Sequence, residues 1–151
     1  MIEMRGLSLW QPYASLKVKG IKINETRSWE TRYRGLIAFH AAKKLFDTRI
    51  YLDRELHPFA NALGLPDIYS FESLPYGAIL GYGELVDCHL MTPEFIAKQT
   101  KQEIYFGDWR PGRFAWEFKD MVELPEPIPY KGMQGLWRVK NPDEILIKGR
   151  L

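Results

Sequence analysis

A single cysteine, Cys88, in 151 residues leaves this chain no partner for an internal disulfide, which points to a reducing compartment. There is no Cys-x-x-Cys pair, no His-Glu-x-x-His and no acidic calcium loop, so neither a structural metal nor a cofactor is expected. No apolar run approaches the roughly 20 residues that span a bilayer. The N-terminus carries Glu3 and Arg5, and no signal peptide is visible. A soluble cytoplasmic protein that engages no membrane is the expectation. Strong charge of one sign is also lacking, since 21 Lys and Arg against 19 Asp and Glu give a net +2. That balance neither demands nor excludes a nucleic-acid partner, so the question turns on where charges cluster. Internal repeats and low-complexity segments are absent, and the length suits one domain, 1–151, with a real core.

Aromatic residues, in contrast, are plentiful. They make up 14% of the chain, with five Trp and eight Tyr, enough to fill a core and leave some for a binding surface. Met4 to Leu9 reads as a strand. A helix opened by Pro12 continues from Tyr13 to Lys19 and stops at Gly20. Strands are expected at Ile21–Trp29, Gly35–Ala41, Ala78–His89, Arg113–Phe118 and Gly135–Val139. Asp47 suits the cap of a helix from Thr48 onward, and Pro58 should kink that helix or split it. Residues 64–76 read as an irregular insertion, and a short helix opens at Thr92-Pro93-Glu94 and runs to about Gln102. Gly81 and Gly83 would let the long strand bend. The run Leu124-Pro125-Glu126-Pro127-Ile128-Pro129 reads as a link between strands. The pattern predicts an α+β class, a small bent β-barrel with flanking helices.

The densest chemistry lies in Gly20-Ile21-Lys22-Ile23-Asn24-Glu25-Thr26-Arg27-Ser28-Trp29. Strand alternation would place Ile23, Glu25, Arg27 and Trp29 on one face, with Lys22 opposite. Lys22 joins Glu25 and Arg27 only if it sits in a turn before the strand settles, which Gly20 permits. The three residues fit a site, and they equally fit a structural ion pair plus one solvated lysine.

This segment has the form G-x-K-x-x-E-x-R, and on it the chain resembles the ASCH domain family (activating signal cointegrator homology), within the PUA-like superfamily. Leu7-Ser8-Leu9-Trp10-Gln11-Pro12-Tyr13-Ala14-Ser15-Leu16 is similar to the family's opening. Ser28-Trp29, Arg34-Gly35, Ala41-Ala42-Lys43-Lys44, Pro75 to Gly81, Leu85 to Cys88, Lys131-Gly132 and Gly135-Leu136-Trp137 follow in the family's order. The resemblance implies a PUA-like bent barrel with a cleft between barrel and helices, edged by the motif. It also implies nucleic-acid binding, some members being attached to transcription cofactors. Other members are small hydrolases, either ribonucleases or amidohydrolases that deacetylate acetylcytidine. The amidohydrolase type uses a Lys to activate a Thr, and the Thr position aligns here with Glu25, a departure from that mechanism.

The candidate binding residues are therefore Lys22, Arg27, Lys43, Lys44 and Arg34 toward phosphate, Gln11 and Glu25 toward a base, and Trp10 as a stacking platform. Lys17, Lys19 and Arg32 extend the positive rim, and Trp10 also fits a ring packed over the barrel end. If the chain is an enzyme, the catalytic set is Lys22, Glu25 and His40, His40 serving as general base. His40 also fits a hydrogen-bonded core histidine, and Trp137 a core residue. Glu84, Asp87 and Glu117 would matter if one faced Lys22. Tyr105 to Arg113, with three aromatics and two arginines, suits either a single strand or a loop folded onto the barrel. The partner expected is RNA or a single-stranded or modified nucleotide. The alternatives are a metal-independent hydrolase and a protein-interaction domain in transcription regulation.

Overall fold

The computed structural model describes residues 2–45 and 51–151. Its centre is a six-stranded mixed sheet, β1 Met4–Leu9, β2 Asn24–Arg27, β3 Gly35–Ala41, β4 Ala78–Leu90, β5 Phe114–Pro129 and β6 Leu136–Arg138, in the order β2-β5-β4-β3-β1-β6. β1 runs parallel to β3 with Ser8 opposite His40, and the other pairings are antiparallel. A parallel pair needs a crossover, and helix α1, Tyr13–Val18, provides part of it. The α+β class read from the sequence is what the chain adopts.

The sheet rolls into a half-barrel because β4 and β5 bend together. Their register shifts between Ile79 and Gly81, between Tyr82 and Glu84, and between Leu85 and Asp87. Such bulges kink a strand and increase its twist. Gly81 sits where a Cβ would come within 2.3 Å of the Val122 carbonyl oxygen, so only glycine allows this approach. The proline-rich run is not a link. β5 passes through it, and Leu124–Pro127 bulges opposite Leu80 alone, between the pairs Gly81–Glu123 and Ile79–Ile128. A bulge is where proline, lacking an N–H, is tolerated in a sheet.

The second strand is shorter than its alternation suggests. The Ile21 and Lys22 amides both donate to the Leu16 carbonyl, at 3.0 and 3.1 Å, and the Ile23 and Asn24 amides donate to the Glu103 carboxylate, at 3.0 and 2.6 Å. With Gly20 left-handed at φ 73° and its amide on the Lys17 carbonyl, this closes α1 in a Schellman motif. The chain is therefore committed to the helix end until Asn24 and cannot pair as a strand before it.

The helical elements also differ from the pattern. The expected cap at Asp47 and the start at Thr48 lie outside the described residues. α2, Asp53–Ala62, runs through Pro58 unbroken. Its Leu56, Phe59 and Ala60 pack with Leu16, Ile68, Phe71 and Phe106, which offsets the bond that proline removes. The insertion holds a 3-10 helix, Ile68–Ser73, capped by the Asp67 carboxylate. The helix expected after Thr92 is two, α3 Pro93–Ala97 and α4 Lys101–Tyr105, capped by Thr92 and Thr100. α5, Pro142–Gly149, buries Ile145 and Leu146 against Met4, Tyr82 and Trp137, so Trp137 is a core residue.

Lys17 departs most from its expected place on a positive rim. It is fully buried on the sheet-facing side of α1, its Nζ 4.3 Å from the Phe118 ring centroid, donating to the Ile23 and Lys22 carbonyls at 2.5 and 3.3 Å. Burial, and then the Lys22 charge, lower its pKa to about 7, against the pull of Glu25 and Glu103. The unfolded chain keeps this proton to about pH 10. Between pH 7 and 10 the unfolded state thus binds more protons, and stability rises with pH. Urea denaturation of wild type and Lys17→Met should show wild type gaining relative stability across that window, by up to about 4 kcal/mol. Parallel pH profiles would show that Lys17 keeps its proton in the fold.

Candidate functional site

The turn before β2 and the strand itself bring Lys22, Glu25 and Arg27 together. Lys22, 2% exposed, turns inward because the chain is still closing α1 at that point. Its Nζ donates to the Asn24 carbonyl at 2.5 Å and to Glu25 Oε1 at 3.3 Å. Glu25 Oε1 also accepts from the Thr26 amide at 3.0 Å. The Arg27 guanidinium lies 3.6 Å from Glu25 Oε2 and donates to the Ser8 carbonyl at 3.3 Å. That last bond spans the roll from β2 to β1, which are far apart in the sheet order.

Burial alone would raise the Glu25 pKa, but Lys22, Arg27 and Lys17 outweigh it and hold the carboxyl below its usual range. Glu25 is thus an ionised carboxylate out of water. Its Oε2 is buried and accepts no hydrogen bond, and Arg27 Nε is a buried donor with no acceptor among the described residues. Both residues line a recess of about 320 Å³ with Trp10, Tyr13, Asp108 and Arg113. Trp10 stands 62% exposed at its edge, with Lys44 Nζ 4.8 Å from the ring centroid. A charged acceptor without a donor beside an open indole is suited to a flat ligand that carries an N–H group.

Several expected site residues lie elsewhere or are already engaged. Gln11 is 1% exposed, its amide donating to the Pro75 carbonyl at 2.8 Å and accepting from the Ser15 amide at 3.0 Å. It anchors α1 and is buried away from any base in the recess. Arg34 pairs with Asp87 at 3.7 Å and donates to the Thr31 and Tyr33 carbonyls, lining neither this recess nor its neighbour. Lys22 directs its ammonium to Asn24 and Glu25 and is buried, so in this structure it holds Glu25. Lys19 pairs with Glu123 at 2.9 Å, and Lys43 lines the neighbouring recess. Glu84 pairs with Lys119, and Glu117 and Asp87 lie by His89, so none of the three faces Lys22.

His40 is the core histidine of the two readings. Its Nε2 lies 2.8 Å from the Tyr130 carbonyl, to which it donates, and its Nδ1 lies 3.0 Å from Ser8 Oγ. Burial pushes its pKa below the usual range for an imidazole, so it is neutral near pH 7. The Thr26 hydroxyl accepts from the Asp108 amide at 3.1 Å, and no hydrogen bond joins it to Lys22 among the described residues. No group of His, Cys, Asp and Glu among the described residues is arranged to hold a metal ion. No described helix is long and apolar enough to cross a membrane.

Glu103 is a brace that the sequence pattern did not announce. Thr100 caps α4 by accepting from the Glu103 amide, and Thr-x-x-Glu is a capping-box signal visible in sequence. The carboxylate does not reach back to Thr100 as that motif implies. It reaches across to the Ile23 and Asn24 amides, 79 to 80 residues away. Asp108 and Arg113 stand out in the sequence only as part of an ambiguous loop, and the structure sets both at the recess wall.

This half-barrel with its motif-edged cleft belongs to a defined class. The ASCH domain family model matches residues 7–146, and the chain belongs to that family. It is 32% identical over 137 residues to activating signal cointegrator 1 of Homo sapiens, and 30% to that of Mus musculus. Those alignments cover 89% of this chain and 22% of each relative, so the chain spans about a fifth of their length. Among solved structures it is similar to ASCH from Zymomonas mobilis, with a TM-score of 0.59 and 14% identity over 95% of this chain and 93% of that one. A mutant of that Zymomonas mobilis protein gives a TM-score of 0.54 and 14% identity, over 97% of this chain and 96% of the mutant. At such identity these likenesses bear on the fold alone, which is PUA-like.

Glu103→Ala leaves the buried Asn24 amide and the partly buried Ile23 amide without their acceptor. It should lower stability by about 2–4 kcal/mol, with faster hydrogen exchange at Ile23 and Asn24 before the rest of the sheet. Uniform exchange across the sheet would contradict a local role for Glu103.

Proposed function

We propose that residues 1–151 act as one ASCH unit that binds nucleic acid, taking an unpaired base of RNA, or of a single-stranded or modified nucleotide, into the recess between Trp10 and Glu25. The observation that carries this reading is Glu25 Oε2, a buried, ionised oxygen with no hydrogen-bond donor among the described residues, in a side chain that lines a recess edged by an exposed indole. An exocyclic amine of a base supplies the missing donor. Trp10 supplies a face on which any base stacks. Arg27 compensates the Glu25 charge and stands where a phosphate would approach. Membership of the ASCH family supports the same reading, and the likeness to activating signal cointegrator 1 fits a binding unit used within larger proteins.

Fluorescence anisotropy with labelled single-stranded RNA and DNA tests it. Loss of one stacking platform costs roughly 1–3 kcal/mol, so Trp10→Ala should weaken binding about 5- to 150-fold. Trp10→Phe should retain part of the affinity. Because Trp10 is exposed, the melting temperature of both variants should stay close to wild type. Wild type that binds neither RNA nor DNA, or a Trp10→Ala variant that binds as well as wild type, sinks the reading.

A further inference from the structure

The cleft continues beyond the base recess. Ser8, Trp10 and Arg27 also line a second recess of about 1060 Å³, so the two are contiguous. They differ in charge. The first sets Lys22, Arg27 and Arg113 against Glu25 and Asp108. The second is lined by Arg27, Lys43 and Lys131, with no carboxylate among its lining residues. Lys43 and Lys131 are exposed, and neither is paired with a described carboxylate.

The floor of this second recess is built. His40 donates to the Tyr130 carbonyl at 2.8 Å, and the Ser8 hydroxyl lies 3.2 Å from the Met133 carbonyl. Gly132 packs so closely on them that a Cβ there would come within 2.4 Å of the His40 ring and 2.5 Å of Ser8 Oγ. β1 and β3 thus hold the segment that carries Lys131 against the sheet. A near-balanced recess suits a neutral base, whereas a recess lined by cations and no carboxylate suits phosphate. A volume of about 1060 Å³ exceeds what a single nucleotide needs, small-ligand sites running from about 300 to 1,000 Å³.

We infer that the second recess carries the backbone and neighbouring nucleotide of a single strand whose base lies in the first, so the ligand is a strand of at least two nucleotides rather than a free nucleoside. Arg27, common to both recesses, stands where the linking phosphate would pass. This rests on the base-recess reading above.

The test compares the four ribonucleosides, by NMR titration, with mixed-sequence RNA and DNA octamers at several salt concentrations. Either octamer should bind at least about 100-fold more tightly than any nucleoside, with a log–log salt slope near −2 for three phosphate contacts on a single strand. In Lys43→Ala/Lys131→Ala the slope should shrink to about −0.7 and octamer affinity fall at least about 10-fold. Nucleoside affinity should be unchanged in that variant. Octamers that bind no better than nucleosides, or that ignore the double substitution, overturn the strand assignment while leaving the base recess intact. If neither nucleosides nor octamers bind, the base-recess reading fails and this one fails with it.

Discussion

Glu25 is a carboxylate removed from water at the seam of a rolled sheet, and the cleft is organised around keeping it charged. A buried ion is costly unless partners satisfy it. Lys22, Arg27 and the Thr26 amide supply those partners, and Lys17 adds its field from below. The same contacts tie the structure together. Lys22 belongs to the helix end, Glu25 to β2, and Arg27 reaches the Ser8 carbonyl on β1. One charge network therefore joins α1, the edge strand and the far side of the half-barrel.

The network depends on backbone held by groups remote in sequence. Glu103 accepts the amides that would otherwise let β2 start earlier, and the Leu16 carbonyl takes two more. Lys17 occupies the carbonyls on the other side of the same turn. Buried polar groups are tolerated when they are paired, and nearly every such group around this turn is. The exceptions there among the described residues, Glu25 Oε2 and Arg27 Nε, belong to side chains that line the recess. Of the three unpartnered buried side-chain atoms among the described residues, two meet here and the third, Trp137 Nε1, lies in the core, and that pairing is the physical basis on which a ligand is proposed at this recess.

Much of this was legible from local chemistry. β1 and β3 carry apolar runs of the right length, and their observed bounds match the pattern. Gly81 and Gly83 announced the bend, and Gly20 announced the helix stop. Lys22, Glu25 and Arg27 stood out as a group because three charged residues of both signs fell within six positions directly after the Gly20 helix stop. Gln11, Lys17 and Arg34 misled for one shared reason: a polar side chain reads as surface until its partners are known. Gln11 found the Pro75 carbonyl, Lys17 two carbonyls in the core, and Arg34 the Asp87 carboxylate on another face. The proline-rich run misled because a strand tolerates proline at a bulge, and bulges depend on the neighbouring strand.

Sequence alone determined the class of fold, the family and the charged segment at the cleft edge, because periodicity, glycine placement and motif spacing are properties of adjacent residues. Tertiary structure decided which side Lys22 faces, that Glu103 braces the turn, and that Trp10 rather than Gln11 is open to a ligand. It also decided that Lys43 and Lys131, 88 positions apart, face one recess. These outcomes follow from burial and from hydrogen bonds between distant segments. A carboxylate, an amide or an ammonium takes its role from the partner it meets, and that partner is set by how the sheet rolls.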